Sequence, residues 1–230
     1  MTTSGTTAFN LDLTEVVEEA FERCGSELRS GYDLKTARRS LNLLFASWAN
    51  KGINLWTVEQ GSIPLVTGTA TYDLPADTVD LLEHVIRTGA NVASTQADLN
   101  ITRISVSTYS TIPNKLTQAR PIQVYINRQA PIPNITVWPI PDPSTTYTFV
   151  YWRLRRIQDA GSGVNTMDIP FRFLPCMVAG LAYHLSMKLP GGLERMQVLK
   201  AQYDESWDFA STEDREKAAI RFVPRQQFIS

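Results

Sequence analysis

The run YTFVYWRLRRI, Tyr147–Ile157, is followed after a short polar stretch by LPCMVAGLAYHL, Leu174–Leu185. In the first run Tyr147, Phe149 and Tyr151 fall on one face of an extended chain, and Val150, Trp152 and Leu154 on the other. A strand apolar on both faces reads as one sandwiched between layers. In the second run Leu174, Met177, Val178, Leu181 and Leu185 recur at helical spacing, and Ala179, Ala182 and Tyr183 fill much of the remainder. That pattern predicts a central core helix, apolar almost all round. Between them, Asp159–Thr166 is a Gly/Ser/Asn loop, and Asp168 with Pro170 suits a helix entry. The chain therefore passes here from a β region into a helical one.

Working outward, the β character extends back to Asn54. Leu55–Glu59, Ile63–Val66 and Thr69–Leu74 are short runs separated by Gly61, Gly68 and Pro75. Leu82–Thr88, Ile122–Asn127 and Ile135–Pro139 follow, rich in Val, Ile, Thr and aromatics as strands prefer. Pro131, Pro133, Pro139, Pro141 and Pro143 belong in turns or at edges. Val106–Ile112, after Ser105, reads as a short helix within a long connection.

Before Asn54 the period is helical. Asp12 and Glu15 form a carboxylate capping box, Val16, Val17, Ala20, Phe21 and Cys24 follow on one face, and Gly25 stops the helix. Glu15, Glu18, Glu19 and Glu22 lie on the other face. A second helix, capped by Asp33, buries Leu34, Ala37, Leu41, Leu44, Phe45 and Trp48 and ends at Gly52. Lys35, Arg38 and Arg39 lie outside its stripe. An acidic helix joined to a basic one by a short loop suits an antiparallel pair, with two solvated faces of incidental sign as an equal alternative, since surface pairs contribute little. Beyond the core helix, Pro190-Gly191-Gly192 is a break. Met196, Leu199, Tyr203, Trp207 and Ala210 then stripe a last, more polar helix. After Lys217 the pattern stops.

The fold class that results is α+β. A helical bundle is built from residues 1–53 and 161–217, an antiparallel β domain is inserted at 54–160, and an extended C-terminal tail occupies 218–230. In the tail Arg221, Phe222, Val223, Pro224, Arg225 and Phe228 alternate charge with apolar bulk. Pro224 disfavours helix at Val223. An apolar, basic tail without a partner element in its own domain is a candidate for docking on a neighbour.

Composition narrows the function. The chain has 230 residues, with 22 Lys+Arg against 23 Asp+Glu and a net charge of −1. That balance argues against a large face that grips nucleic-acid phosphate. No apolar run reaches membrane-spanning length, and Met1–Asn10 lacks the features of a signal peptide. Cys24 and Cys176 without a CxxC suggest a reducing compartment and two free buried thiols, with one disulfide as the alternative.

Catalytic chemistry finds little support. His84 and His184 have no second ligand at metal spacing and read as hydrogen-bonded structural histidines. Gly161-Ser162-Gly163 lacks the Lys-Ser/Thr of a phosphate loop and reads as a plain interdomain linker. Asp204, Glu205, Glu213, Asp214 and Glu216 read as solvated helix carboxylates. No cofactor, metal or catalytic set is expected. Arg153, Arg155 and Arg156 beside Trp152 suit either a nucleic-acid stacking patch or an interface where each guanidinium fork pairs carboxylates.

Several motifs together resemble a known family. They are Tyr151–Ile157, Asp159-Ala160-Gly161, Asp168-Ile169-Pro170 and Arg172-Phe173-Leu174-Pro175. Tyr109 with Ile112-Pro113-Asn114-Lys115, Trp138–Pro141, Asp214–Lys217 and Arg221–Pro224 complete the set. From about Leu13 to Arg225 the chain resembles phage head-to-tail adaptors of the tail tubular protein A-like family. The resemblance implies a homo-oligomeric, dodecameric ring under the portal protein. It also implies a β domain facing the tail nozzle, a C-terminal extension docked on the portal, and genomic DNA passing without sequence recognition. It implies a virion neck location, assembly in the host cytoplasm, no catalysis and no membrane partner. The competing reading is a carbohydrate- or partner-binding β module with Trp138, Tyr147, Tyr151 and Trp152 as its platform. A cell-wall hydrolase is the third reading, and it lacks an acid, base or nucleophile set.

Overall fold

The computed structural model describes residues 4–7, 9, 11–52 and 55–214. Its helices are α1 (Leu13–Arg23), α2 (Gly31–Asn50), α3 (Val106–Ser110), α4 (Leu174–Ser186) and α5 (Met196–Glu213). Its strands are β1 (Val58–Pro64), β2 (Thr71–Asp73), β3 (Thr78–Thr88), β4 (Ala97–Asn100), β5 (Thr102–Ile104), β6 (Gln123–Asn127), β7 (Asn134–Trp138) and β8 (Tyr147–Arg155). The architecture is mixed α+β with mainly antiparallel sheets. Two compact units are present, one from Met1–Leu55 with Asp159–Ser230 and one from Trp56–Gln158.

In the helical unit, α1, α2 and α5 all pack on α4. Cys176 to Ala182 of α4 are buried without a break. Gly180 makes this closeness feasible, because a Cβ there would lie 2.9 Å from both Leu44 and Tyr203. The indole nitrogen of Trp48 donates to the hydroxyl of Tyr203 at 3.0 Å, so burying these two large rings leaves neither polar atom unpaired. Phe45, Phe173 and Trp207 complete the aromatic cluster.

The caps follow local chemistry. At α1, Asp12 accepts from the Glu15 amide and Glu15 accepts from the Asp12 amide, at 2.9 and 3.0 Å. At α2 the cap is Ser30 and not Asp33, with Asp33 as the third residue of the first turn. Ser30 and Asp33 exchange hydrogen bonds at 3.3 and 3.1 Å. The box therefore starts one turn earlier than the apolar stripe suggests. Gly25 and Gly52 both adopt the left-handed conformation just past their helices.

Of the two readings of the charged helices, that of two solvated faces agrees with the structure, and the reading of the loop is corrected. Among the described residues no ion pair joins α1 to α2: Glu19 pairs with Arg23 of its own helix, and Arg38 donates to the Gly161 carbonyl at 3.0 Å. The Gly161–Asn165 loop is not a plain linker. The Gly163 carbonyl accepts from the amide and the hydroxyl of Thr14, the Leu13 amide donates to the Asn165 carbonyl, and the Ala160 amide donates to Asn42. The loop supplies acceptors that the first amides of α1 lack within the helix.

The β unit is a pair of four-stranded sheets, ordered β1-β8-β3-β4 and β2-β7-β6-β5. Among the described strands, only β5 and β6 pair in parallel. Leu81, Ile86, Phe149 and Tyr151 from one sheet share a core with Val124, Ile126, Ile135 and Val137 from the other. Along β8, Tyr147, Phe149 and Tyr151 are buried, as their shared face predicts. On its opposite face Val150 is buried while Trp152 and Leu154 are only half-buried, so that face is covered at one end. The short helix after Ser105 forms, capped by Ser105.

The punctuation at Gly61 is misread from sequence. β1 runs straight through it, and Leu55–Thr57 form a separate 3-10 turn. Gly61 lies opposite Tyr151 in register, and an added Cβ would come within 2.5 Å of the phenol ring. The glycine makes room for a cross-strand aromatic. β4 and β5 were not expected, because Ala97–Asn100 and Thr102–Ile104 are short, mostly exposed and largely polar.

Gly61→Ala is therefore expected to destabilise the β unit by about 1–3 kcal/mol, the usual cost of overpacking. Urea melts of the two proteins check this, and an unchanged midpoint would show that the Tyr151 ring moves aside freely.

Candidate functional site

The arginine cluster on β8 is positioned by strand alternation. Arg153 and Arg155 share the parity of Tyr147, Phe149 and Tyr151, so the inward face of the strand changes from aromatic to cationic. Glu59 of β1 stands opposite Arg153 in register. Arg153 donates to Glu59 at 2.8 Å, to Asp77 at 2.5 Å and to the hydroxyl of Thr78 at 3.0 Å. Arg155 donates to the second oxygen of Glu59 at 2.6 Å. The two arginine side chains are only 11% and 12% exposed. Arg156 is exposed, and its amide donates to the Asp77 carbonyl.

The forks thus pair carboxylates within one chain. They tie β8 to β1 and to the entry of β3. Trp152 has the opposite parity from Arg153 and Arg155, so those guanidinium groups and the indole do not share a face for base stacking. The Arg153 hydrogen bond holds the Asp77 carboxyl below its usual 3.8, against the opposing effect of burial.

The proposed aromatic platform is likewise dispersed. Tyr147 and Tyr151 are buried in the core. Trp138 lies on β7 and Trp152 on β8, in different sheets, and Trp138 donates its indole proton to the Asn114 carbonyl at 3.0 Å.

Neither histidine builds a reactive site. His84 packs its ring 5.9 Å from that of Phe149, and neither ring nitrogen has a hydrogen-bond partner among the described residues. The expectation of a hydrogen-bonded histidine fails there, because an apolar sandwich offers the ring no acceptor. Burial lowers the pKa of His84, and burial followed by the charge of Lys188 lowers that of His184. Among the described residues, no group of three or more His, Cys, Asp or Glu could hold a metal ion. Both cysteines are free and buried, which closes the disulfide alternative. Cys24 donates to the Ala182 carbonyl at 3.2 Å, and burial pushes the Cys176 thiol up to about 12.

Asp214 departs from the solvated-carboxylate expectation. Its side chain is fully buried in an ion pair with Arg172, which ties the end of α5 to the turn before α4. The sequence signal was the isolated Arg172 before an otherwise apolar helix. Glu216 lies outside the described residues.

Two surface grooves were not foreseen. One, of about 390 Å³, is lined by Leu11, Glu15, Glu19, Leu174, Pro175 and Val178 together with Arg23. The other, of about 270 Å³, is formed by Arg172, Pro175, Ser206, Phe209, Ala210 and Glu213. Phe209 is 69% exposed, off the buried stripe of α5, and this was the available clue.

Among the described residues the charged and aromatic clusters of both units are paired or packed within the chain, and a comparison with family models adds an independent finding. The SU10 adaptor protein model matches residues 12–222. The chain belongs to this family of phage head-tail adaptors. The match spans the helical segments and the whole β unit, and it ends inside the tail. SU10 adaptors are structural proteins of the virion neck and tail that act among portal and tail components. A search of individually curated proteins finds no match. Among the described residues, no helix of this SU10 adaptor is long and apolar enough to cross a membrane. The candidate docking residues Arg221, Phe222, Val223, Pro224, Arg225 and Phe228 lie outside the described residues.

Two predictions concern this adaptor's chemistry. Arg153→Met is expected to cost about 1–2 kcal/mol near neutral pH, low for a charge-assisted pair because both carboxylates are partly exposed. The folded pKa of Asp77 is depressed, so its contribution is fully present above about pH 4 and is lost as pH falls through the depressed value. Urea melts from pH 7 to pH 2 should show wild type and variant converging at the acid end, whereas a constant gap would remove Asp77 from the account. The second concerns the thiols. Cys24 and Cys176 should resist a thiol reagent at pH 8 in the folded protein and react once it is unfolded in guanidinium. Fast labelling of native protein would contradict their burial.

Proposed function

We propose that this adaptor forms a homo-oligomeric ring, a dodecamer, between the portal protein and the tail nozzle. Genomic DNA passes through it without sequence recognition. The observation that carries the reading is a family match running across both units, from the capping box of α1 into the tail. The net charge of −1 and the pairing of Arg153 and Arg155 with carboxylates of their own chain suit a passage along which DNA slides. The β unit faces the nozzle, and the ring is assembled onto heads in the host cytoplasm.

The tail docks on the portal. Phe222, Val223 and Phe228 supply apolar anchors for an extended strip, while Arg221 and Arg225 meet portal carboxylates and set its orientation. A single short tail offers a small contact, and a ring of tails gains by avidity.

Deleting residues 218–230 should leave thermal melting unchanged and reduce co-sedimentation with portal-bearing heads to background. Co-sedimentation at the full-length level would remove the tail from the docking site, and a lowered melting temperature would make the tail part of its own fold.

A further inference from the structure

The helical unit carries two exposed faces of opposite character that do not meet within the chain. On α1, Glu15, Glu18, Glu19 and Glu22 are all exposed. Glu15 and Glu19 rim the groove whose floor is Leu174, Pro175 and Val178; Arg23 also lines it and pairs with Glu19 at 2.8 Å, so with Glu18 and Glu22 beside them this face of α1 keeps four carboxylates against one guanidinium. On α2, Tyr32, Lys35, Arg39, Leu43, Ala46 and Asn50 follow one another at three- and four-residue steps, so they form one stripe. All six are exposed, with Tyr32 at 72% and Leu43 at 66%. This stripe is cationic with apolar side chains at intervals, and the α1 face that borders the groove is net negative over an apolar floor. Among the described residues no ion pair joins the two helices, and no α2 residue lines the groove.

We infer that the groove between α1 and α4 receives the Tyr32–Leu43 face of α2 from a second copy of this chain. Lys35 and Arg39 meet the glutamates of α1, while Tyr32 and Leu43 cover the Leu174–Val178 floor. The two patches are different surfaces of one unit, so the contact is heterologous. Each copy offers a free groove to one neighbour and a free stripe to another, and such contacts propagate into a ring when the rotation closes. The charges select the neighbour and its register, and the apolar contact supplies most of the adhesion. The inference rests on self-association in the proposed ring and adds which surfaces meet.

Charge-swap complementation tests it on the full chain. Glu19→Arg with Glu22→Arg makes the groove rim basic, and Lys35→Glu with Arg39→Glu makes the stripe acidic. Glu15 is left alone because it closes the α1 cap, and Arg38 because it holds Gly161. Unchanged circular dichroism and melting show that each variant is folded. In sedimentation velocity at low salt, each variant alone should self-associate about tenfold more weakly than wild type or worse. An equimolar mixture should recover the wild-type species, since each interface again pairs opposite signs. Added salt should weaken the wild-type association.

Variants that associate like wild type, or a mixture that recovers nothing, overturn the interface while leaving the ring in place. Rescue that stops at two copies supports the interface and overturns the ring. A wild-type chain that stays monomeric, alone and on portal-bearing heads, overturns both. If deletion of 218–230 abolishes association while the stripe reversal has no effect, the groove holds the chain's own tail and the inference fails.

Discussion

An apolar helix cannot remain in water, and α4, buried without a break from Cys176 to Ala182, is covered only by combining chain segments from both ends. α1 and α2 are synthesised long before it and α5 just after it. None of the three has an apolar stripe wide enough to enclose α4 alone. Gly180 brings two of these helices to within van der Waals distance of its backbone. The Trp48–Tyr203 hydrogen bond lets the largest side chains there be buried without an orphaned donor. Any change that widens this packing loosens all four helices together, because each is held mainly through α4.

The β unit solves a different problem. A sandwich of two twisted sheets needs its inner faces closed off where the strands run out. On β8 the closing layer is ionic, with arginines succeeding aromatics at the same parity. Arg153 and Arg155 share Glu59, and Arg153 also reaches Asp77. The unit thereby neutralises two positive charges with carboxylates of its own chain.

The helical elements were largely legible in the sequence because their signals are local and redundant. The stripe from Ala37 to Trp48, the box of Asp12 and Glu15, and the glycines past each helix all agree. The strands were legible where apolar and β-branched residues dominate, as in β6, β7 and β8. The rest depended on partners distant in sequence. Gly61 is a break when read alone and a cavity for Tyr151 when read in register. Ala97–Asn100 pairs because β3 offers an edge, with no apolar pattern of its own. The role of Arg153 was half visible, since its capacity to bridge two carboxylates was evident but not that both lie in its own chain. The grooves were not legible at all, because each is shared by side chains of different helices, Glu15 with Val178 in one and Pro175 with Phe209 in the other.

That sharing bears on the order of events during synthesis. The rim of the acidic groove is made by the ribosome before the β unit, and its floor at Leu174, Pro175 and Val178 comes after it. At roughly ten residues per second, translating the intervening chain takes about fifteen seconds. A nascent chain therefore exposes the α2 stripe early and has no complete groove to receive one until nearly all of it has emerged. In the proposed ring, neighbouring chains on one polysome cannot be captured by an unfinished copy. The discontinuity of the helical unit thus acts as a clock for the proposed assembly, making competence to accept a neighbour among the last properties the chain would acquire.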